Sequence, residues 1–393
     1  MTASVRLKPG HVQPVWAGHP WIYAQAVERV EGGATRGDEV RVLDPRGNFL
    51  GRGFYSPGSA IPVRIVSRNE SEKLDALFFR GQVARALEQR KLLELGDETT
   101  GYRLIHAEGD GLPGLVVDRM GDVLVLQILT AGMKQREHII LDALEENLRP
   151  KAIIDRTPEK YAKAENFTYT PGFVRGKEVE ALDFKERGMR FRVPLALGQK
   201  TGFYFDQRTL RGRVEALAHG KKVLDAYGYI GSFGLFSARG NAESVTSVDE
   251  NPLVGEIGAE CARLNGLGER VRFIKDDARR LLQDCHAEYD LVVLDPPRLA
   301  PTRSARENAL VHYAKLAALG CRATRPGGIL VFCSCSSAID LHALTRALAT
   351  GAQRANVEAV VLERHFQAAD HPVPAAFGEG LYLKSVIARI RPR

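Results

Sequence analysis

The sequence predicts an α/β protein whose C-terminal half is a doubly wound parallel sheet, preceded by a small β-rich module and a central α+β domain. Three observations carry this expectation. From residue 184 onward short β-branched runs alternate with helical stretches, which is how a parallel sheet with crossover helices reads in sequence. Residues 38–56, "DEVRVLDPRGNFLGRGFYS", are two alternating runs joined at Asp44-Pro45-Arg46-Gly47, a hairpin pattern with proline where its fixed φ suits a turn. At 393 residues the chain also exceeds what one ordinary core holds, so several domains are expected.

The elements follow in order. Residues 1–68 form the β-rich module, which contains both tryptophans, Trp16 and Trp21. Residues 71–96 carry apolar side chains at helical spacing (Leu74, Leu77, Phe78, Leu87, Leu92), with Ser71 as the expected N-cap and Gly96 as the stop. The stretch from 101 reads as strands with a hairpin at Met120-Gly121-Asp122, then a helix around 132–147, then shorter strands to about 183. The expected boundaries are therefore 1–68, 69–183 and 184–393. In the last segment, "KKVLDAY", "SVTSVD", "VRFIKDD", "DLVVLD" and "GILVFCS" are the five expected strands.

Composition narrows the function classes. No stretch approaches the roughly 18–20 uninterrupted apolar residues of a membrane helix, so no membrane partner is expected. "MTASVRLKPG" lacks the apolar core of a secretory signal, which makes the cytoplasm the expected location. A net charge of +7 permits a polyanionic partner without requiring one. The five cysteines (Cys261, Cys285, Cys321, Cys333, Cys335) are sparse and odd in number, which does not suit a disulfide framework. Cys333 and Cys335 are two apart, unlike a structural zinc knuckle, so no metal is expected.

The chemistry is expected at the carboxyl ends of the strands, where open α/β sheets bind ligands. Those ends offer Asp225, Asp249, Asp277, Asp295 and the Cys333/Cys335 pair. The first loop, "DAYGYIGSFG", includes Tyr227 and has glycines at 228, 231 and 234. It is neither G-x-G-x-x-G nor a P-loop, so a phosphate is not its evident ligand. Asp249 lies eighteen positions past Gly231, where a ribose diol is commonly held. Asn251-Pro252 already supplies a helix cap and a first-turn proline, which leaves Asp249 free for that task. Asp277 would sit near an adenine amino group, with Asp276 beside it as the alternative. "DLVVLDPPR" ends an apolar strand in Asp295-Pro296-Pro297, a stiff corner that suits a binding or catalytic carboxylate.

A non-phosphate glycine loop, a ribose acid and D-P-P together resemble a class I S-adenosylmethionine-dependent methyltransferase. The resemblance sharpens on "LGQKTGFYFDQR" (197–208) and on "FQAADHPVPAAFGEGLYLKS" (366–385), which are similar to elements of the RlmI-like 23S rRNA (cytosine-C5) methyltransferases. "PVWAGHPWIY" and "RLIHAEGDGLPGLVVDRMGD" extend it over nearly the whole chain. Ile230 and Ser336-Ser337-Ala338 depart from the family's commonest residues. The resemblance implies an N-terminal PUA domain, a central α+β domain and a Rossmann-like methyltransferase domain. It implies S-adenosyl-L-methionine as cofactor, with Gln199, Thr201, Gly202, Tyr204, Asp206 and Arg208 bordering its methionine part or the active site. Asp225, Tyr227, Gly228, Gly231, Asp249, Asp277 and Asp295 would hold the rest. It further implies formation of 5-methylcytidine in 23S rRNA, naked or in the large subunit, with homodimer formation left open.

Cytosine C5 is a poor nucleophile until a thiolate adds at C6, and free cysteine ionises only near a pKa of about 8.5, so the site must favour the thiolate. Ser334-Cys335-Ser336 matches the family's cysteine motif, which makes Cys335 the expected nucleophile and Cys333 a small buried hydrophobe. Asp295 would hydrogen-bond or protonate N3, provided burial raises its pKa. Arg41, Arg46, Arg52 and Arg64 would meet phosphates, and the target base must be flipped or single-stranded. The alternatives are a guanine-N2 RNA methyltransferase, which needs no thiol and would leave both cysteines as core filler, a uridine-C5 RNA methyltransferase, or a non-catalytic RNA-binding assembly factor.

Overall fold

The computed structural model describes residues 3–197, 201–300 and 304–393. They divide into two compact units. Residues 3–188, 201–205 and 369–380 make up one, and residues 189–197, 206–300, 304–368 and 381–393 the other.

The first unit contains two sheets. Six strands within residues 4–67 form one, in the order Trp21–Ile22, Val63–Ser67, Phe49–Tyr55, Glu39–Leu43, Ser4–Leu7, Val27–Glu31. Val5, Leu7, Val40, Val42, Val63 and Ile65 make its core. The expected turn after Leu43 is present, and the Asp44 carboxylate accepts from the backbone N–H of Arg46 and of Asn48, each at 2.8 Å. The second sheet has five strands, with Leu115–Met120 and Val123–Ile128 paired antiparallel around Gly121 as expected.

The first long helix corrects the sequence reading. It spans Ala76–Lys91 and is capped by Asp75, whose carboxylate accepts from Leu77 N and Phe78 N. Ser71 instead donates to Asn69. Its buried stripe is Phe78, Phe79, Val83, Ala86 and Arg90, while Leu77 and Leu92 are exposed. Arg90 is buried on the apolar face because Asp110 takes it bidentately, at 2.5 and 2.9 Å, and the Asp370 carbonyl accepts from it at 2.8 Å. The expected helix at 132–147 is two pieces, Ala131–Lys134 and Glu137–Leu148.

The second unit holds a seven-stranded sheet. Its strands are β1 (Lys222–Ala226), β2 (Ser244–Asp249), β3 (Val271–Lys275), β4 (Tyr289–Leu294), β5 (Thr324–Ser334), β6 (Val357–Phe366) and β7 (Lys384–Pro392), in the order β3-β2-β1-β4-β5-β7-β6. The five expected strands are parallel. The sheet is not wholly parallel, however: β7 pairs antiparallel with both β5 and β6. Polar residues alternate along "VEAVVLERHF", so this edge strand lacks the continuous apolar run that marked the others. The order steps outward from β1 in both directions, which puts the switch point between β1 and β4.

Candidate functional site

Asp225, in β1, is fully buried. One carboxylate oxygen accepts from Gly234 N at 2.9 Å and from the Ser247 hydroxyl at 3.3 Å, and the other has no hydrogen-bond partner among the described residues. Burial, reinforced by the charges of Asp295 and Asp249, pushes its pKa up to about 7. The loop that follows is tightly wound. Tyr227 (φ 62°) and Tyr229 (φ 52°) both occupy the left-handed region that L-residues avoid, a strain typical of ligand-binding loops. A Cβ on Gly228 would lie 2.2 Å from the Ser247 hydroxyl, so only glycine fits there.

Asp249, at the end of β2, is not free, contrary to the expectation. Asn251 does cap the next helix, accepting from Leu253 N at 3.1 Å. Asp249 nonetheless accepts from Tyr229 N and from Asn251 N, each at 3.0 Å. Its carboxylate thereby ties the glycine loop to β2, and each oxygen keeps a second lone pair for a hydroxyl donor. Asp277 caps the helix Ala278–Asp284, accepting from Arg279 N at 2.8 Å, and pairs with the Arg279 guanidinium. That guanidinium bond holds its carboxyl below the usual range. Asp276 accepts from Asp277 N.

β4 ends at Leu294, and the Pro296-Pro297 corner follows as expected. Half-buried Asp295 accepts from the Gln207 side-chain amide at 3.0 Å. Gln207 is not among the site residues expected from sequence, although it sits inside "LGQKTGFYFDQR". Its neighbour Asp206 accepts from the Tyr382 hydroxyl at 2.7 Å. Arg208, which opens the helix Arg208–Leu217, is buried.

Beyond β5 the two cysteines separate. Cys333 lies inside the strand, fully buried, and burial followed by the Asp295 charge pushes its thiol well above the ordinary value. Ser334 donates to the Tyr313 hydroxyl at 2.8 Å, and Ser336 accepts from Ala300 N at 3.1 Å. Both serines are fully buried, and Cys335 between them is the one cysteine of the five that keeps solvent access. The D-P-P-R and S-C-S-S loops are laced together, since Arg298 donates to Ser337 Oγ at 2.9 Å. Lys384, the first residue of β7, lies under this turn and donates to the Ser336 carbonyl at 2.7 Å. Tyr313 had no local signal in the sequence.

The second unit thus brings together Asp206, Arg208, Asp225, Tyr227, Gly228, Gly231, Asp249, Asp277, Asp295 and Cys335. Thr201, Gly202 and Tyr204 belong to the first unit, where Thr201 donates to Asp118 and its carbonyl accepts from Arg156. Gln199 lies outside the described residues. The arginines expected on RNA are largely engaged within the protein: Arg41 pairs with Glu70, Arg52 with Glu39 and Arg64 with Glu165. Arg46 is exposed.

S-adenosylmethionine fits these residues by three observations. An unpartnered carboxylate oxygen of Asp225 is buried at the switch point, the glycine loop closes too tightly for any Cβ at 228, and Asp249 retains acceptor capacity beside that loop.

Comparison with known proteins agrees with this geometry. Residues 5–68 match the PUA-like domain, and residues 160–376 match the S-adenosylmethionine-dependent methyltransferase family. The chain is 36% identical over 395 residues to ribosomal RNA large subunit methyltransferase I of Yersinia pseudotuberculosis, covering 99% of this chain and 100% of that one. The Yersinia pestis protein of the same name is equally similar. In fold, it resembles a proposed SAM-dependent methyltransferase from Streptococcus mutans, with a TM-score of 0.83, 19% identity and coverage of 99% and 100%. It also resembles SMU.776, a proposed methyltransferase complexed with SAH, with a TM-score of 0.85, 19% identity and the same coverage.

Proposed function

Because the chain belongs to the S-adenosylmethionine-dependent methyltransferase family that includes the ribosomal RNA large subunit methyltransferases I, we propose that it forms 5-methylcytidine in 23S rRNA through a cysteine adduct. The observation that carries this reading is the placement of Cys335. It is the cysteine with solvent access, three residues past the register pair Leu294–Phe332, and the Asp295 corner follows the partner strand at the same edge.

When bound, S-adenosylmethionine supplies the methyl group that C5 takes up. The chain's own residues do the rest. The Cys335 thiolate adds to C6 of the cytosine, the ring gains its electron pair, and Asp295 holds or protonates N3 as charge develops there. After methylation a water molecule takes the C5 proton, the electron pair left behind expels the Cys335 thiolate as the C6–S bond breaks, and N3 returns to Asp295 any proton it received. Gln207 orients Asp295 by its 3.0 Å hydrogen bond. Cys333 takes no part, because its thiol is held neutral.

In this reading the module at 1–68 and the segment at 69–183 bind and position the RNA, and residues 184–393 perform the chemistry in the cytoplasm. Arg46 and Trp16, which is 74% exposed, offer a phosphate contact and a stacking face. The substrate is naked rRNA or the large subunit, and a homodimer is compatible with either.

The test is to incubate the protein with labelled S-adenosylmethionine and unmodified 23S rRNA and to identify the labelled nucleoside. 5-Methylcytidine is expected, with Cys335→Ala slowing its formation by at least about a thousandfold. RNA carrying 5-fluorocytidine should trap a covalent complex with the wild type and not with Cys335→Ala. N2-methylguanosine or 5-methyluridine as product would replace the proposal.

A further inference from the structure

We propose that Lys384 is a positioning residue for Cys335: its ammonium, pinned under the S-C-S turn, holds the nucleophile as the thiolate. The inference rests on the reading of Cys335 as nucleophile and explains how the chain meets that chemistry's first requirement.

The backbone fixes where the lysine is. In the antiparallel ladder between β5 and β7, Lys384 is opposite Ser334, the last strand residue before Cys335. Its Nζ donates to the Ser336 carbonyl at 2.7 Å and to the Tyr382 carbonyl at 2.8 Å. The ammonium is therefore held against the residue on one side of Cys335, from a strand paired with the residue on the other side.

The charge itself is unusual. Lys384 is 3% exposed, and lysine is almost never buried this far unless it is paired. Among the described residues no carboxylate lies within ion-pair distance of it. Two carbonyls solvate an ammonium but do not neutralise it, so the buried cation lacks a permanent counter-ion. A neutral glutamine could satisfy the same carbonyls. A positive charge is useful there only if a negative one forms nearby, and the Cys335 thiolate is that charge.

Other charged and titratable groups also face the turn. Arg298 adds a second cation through its bond to Ser337. Asp295, where ionised, opposes a thiolate, while Asp340, which caps the helix Leu341–Arg354 and pairs with Arg306 at 3.7 Å, helps keep Lys384 charged. Tyr313 and Cys333 are both pushed upward and stay neutral near pH 7. Burial pulls Lys384 down to about 8, so the ammonium is charged at pH 7 and its support for the thiolate fades above pH 8.

The experiment is the pH dependence of iodoacetamide alkylation at Cys335, followed on its peptide by mass spectrometry. It needs no RNA and no turnover. In the wild type the midpoint is expected below the ordinary thiol value of about 8.5. Lys384→Met should raise it by about one pH unit or more and slow alkylation at pH 7 about tenfold. Lys384→Arg, which keeps the charge, should stay within about threefold of the wild type. S-adenosylmethionine binding and circular dichroism report whether each variant folds. A wild-type midpoint at or above 8.5 overturns the proposal even if Lys384→Met fails to fold, and so does a Lys384→Met profile that superimposes on the wild type. Methylation by Cys335→Ala would instead remove the nucleophile reading, whatever the alkylation profile shows.

Discussion

At the ends of β1, β2 and β3 the acids accept hydrogen bonds chiefly from backbone N–H groups of the loops along that edge, whereas after β4 and β5 the polar groups are held by side chains from other elements. Asp225 takes the N–H of Gly234, Asp249 those of Tyr229 and Asn251, and Asp277 that of Arg279. Asp295, by contrast, is held by Gln207, Ser334 by Tyr313, and the Cys335 turn by Lys384. The first half of the sheet edge is assembled by its own loops, and fixed dipoles aimed at a carboxylate suit binding. The second half is held by three other segments, which fix the Asp295 corner and both neighbours of Cys335, as chemistry requires when groups must be oriented and their charge controlled.

The comparison predicts that substitutions in the two halves fail differently. Asp295→Asn should reduce turnover about a hundredfold or more while affinity for S-adenosylmethionine changes far less. Asp249→Ala should do the reverse. It strands two backbone N–H groups, at a cost of about 1–3 kcal/mol, and should weaken cofactor binding at least about tenfold. Calorimetric titration and urea unfolding measure these effects. If both variants lose affinity and turnover in the same proportion, the division of the edge into a binding half and a reacting half fails.

A smaller effect tests how tightly the loop half is built. Alanine at 228 would place its Cβ 2.2 Å from Ser247 Oγ and 3.0 Å from Asp225 Oδ2, both on buried side chains. Overpacking of this kind costs about 1–3 kcal/mol. Gly268→Ala meets nothing closer than the Arg263 side chain at 3.5 Å and should be nearly neutral. Thermal unfolding of the two variants side by side measures the difference, and equal midpoints would mean that the glycine loop yields more readily than its contacts imply.

The same contrast explains what could be read from sequence. Strand ends and the D-P-P corner follow from local pattern, where an apolar run ends and a turn begins, whereas the choice of Cys335 over Cys333 rests on the resemblance of Ser334-Cys335-Ser336 to the family's cysteine motif. Asp249 ends β2 as its sequence pattern indicates, but its engagement with Tyr229 is not visible there, because that bond depends on a left-handed loop conformation two tyrosines must adopt. Tyr313 sits mid-helix among apolar residues and reads as core until its hydroxyl is seen between Ser334 and Ser336. Lys384 reads as an ordinary strand-end charge, since nothing in its neighbourhood reveals that β7 inserts antiparallel beside β5. The "AADHP" element proved to serve the first unit, where Asp370 accepts from Arg103 N and its carbonyl from Arg90.

The smallest effect concerns Asp225. Its carboxyl titrates near 7 in the folded protein, against about 3.9 in an unfolded chain. Between those values the folded state binds the extra proton, so the contribution to stability is complete below pH about 4 and is lost as pH rises through 7. Asp225→Asn cannot ionise and should remove that slope. Its unfolding free energy between pH 5 and 8 should fall less than the wild type's, by about 1–2 kcal/mol after allowance for relaxation around the charge. Urea unfolding across this range checks the sign, and an unchanged slope would mean that Asp225 is ionised throughout. Repeating the series with saturating S-adenosylmethionine sharpens the contrast. A ligand that is itself positively charged, bound on the Asp225 side, stabilises the carboxylate and should release its proton, flattening the wild-type slope and leaving that of Asp225→Asn unmoved.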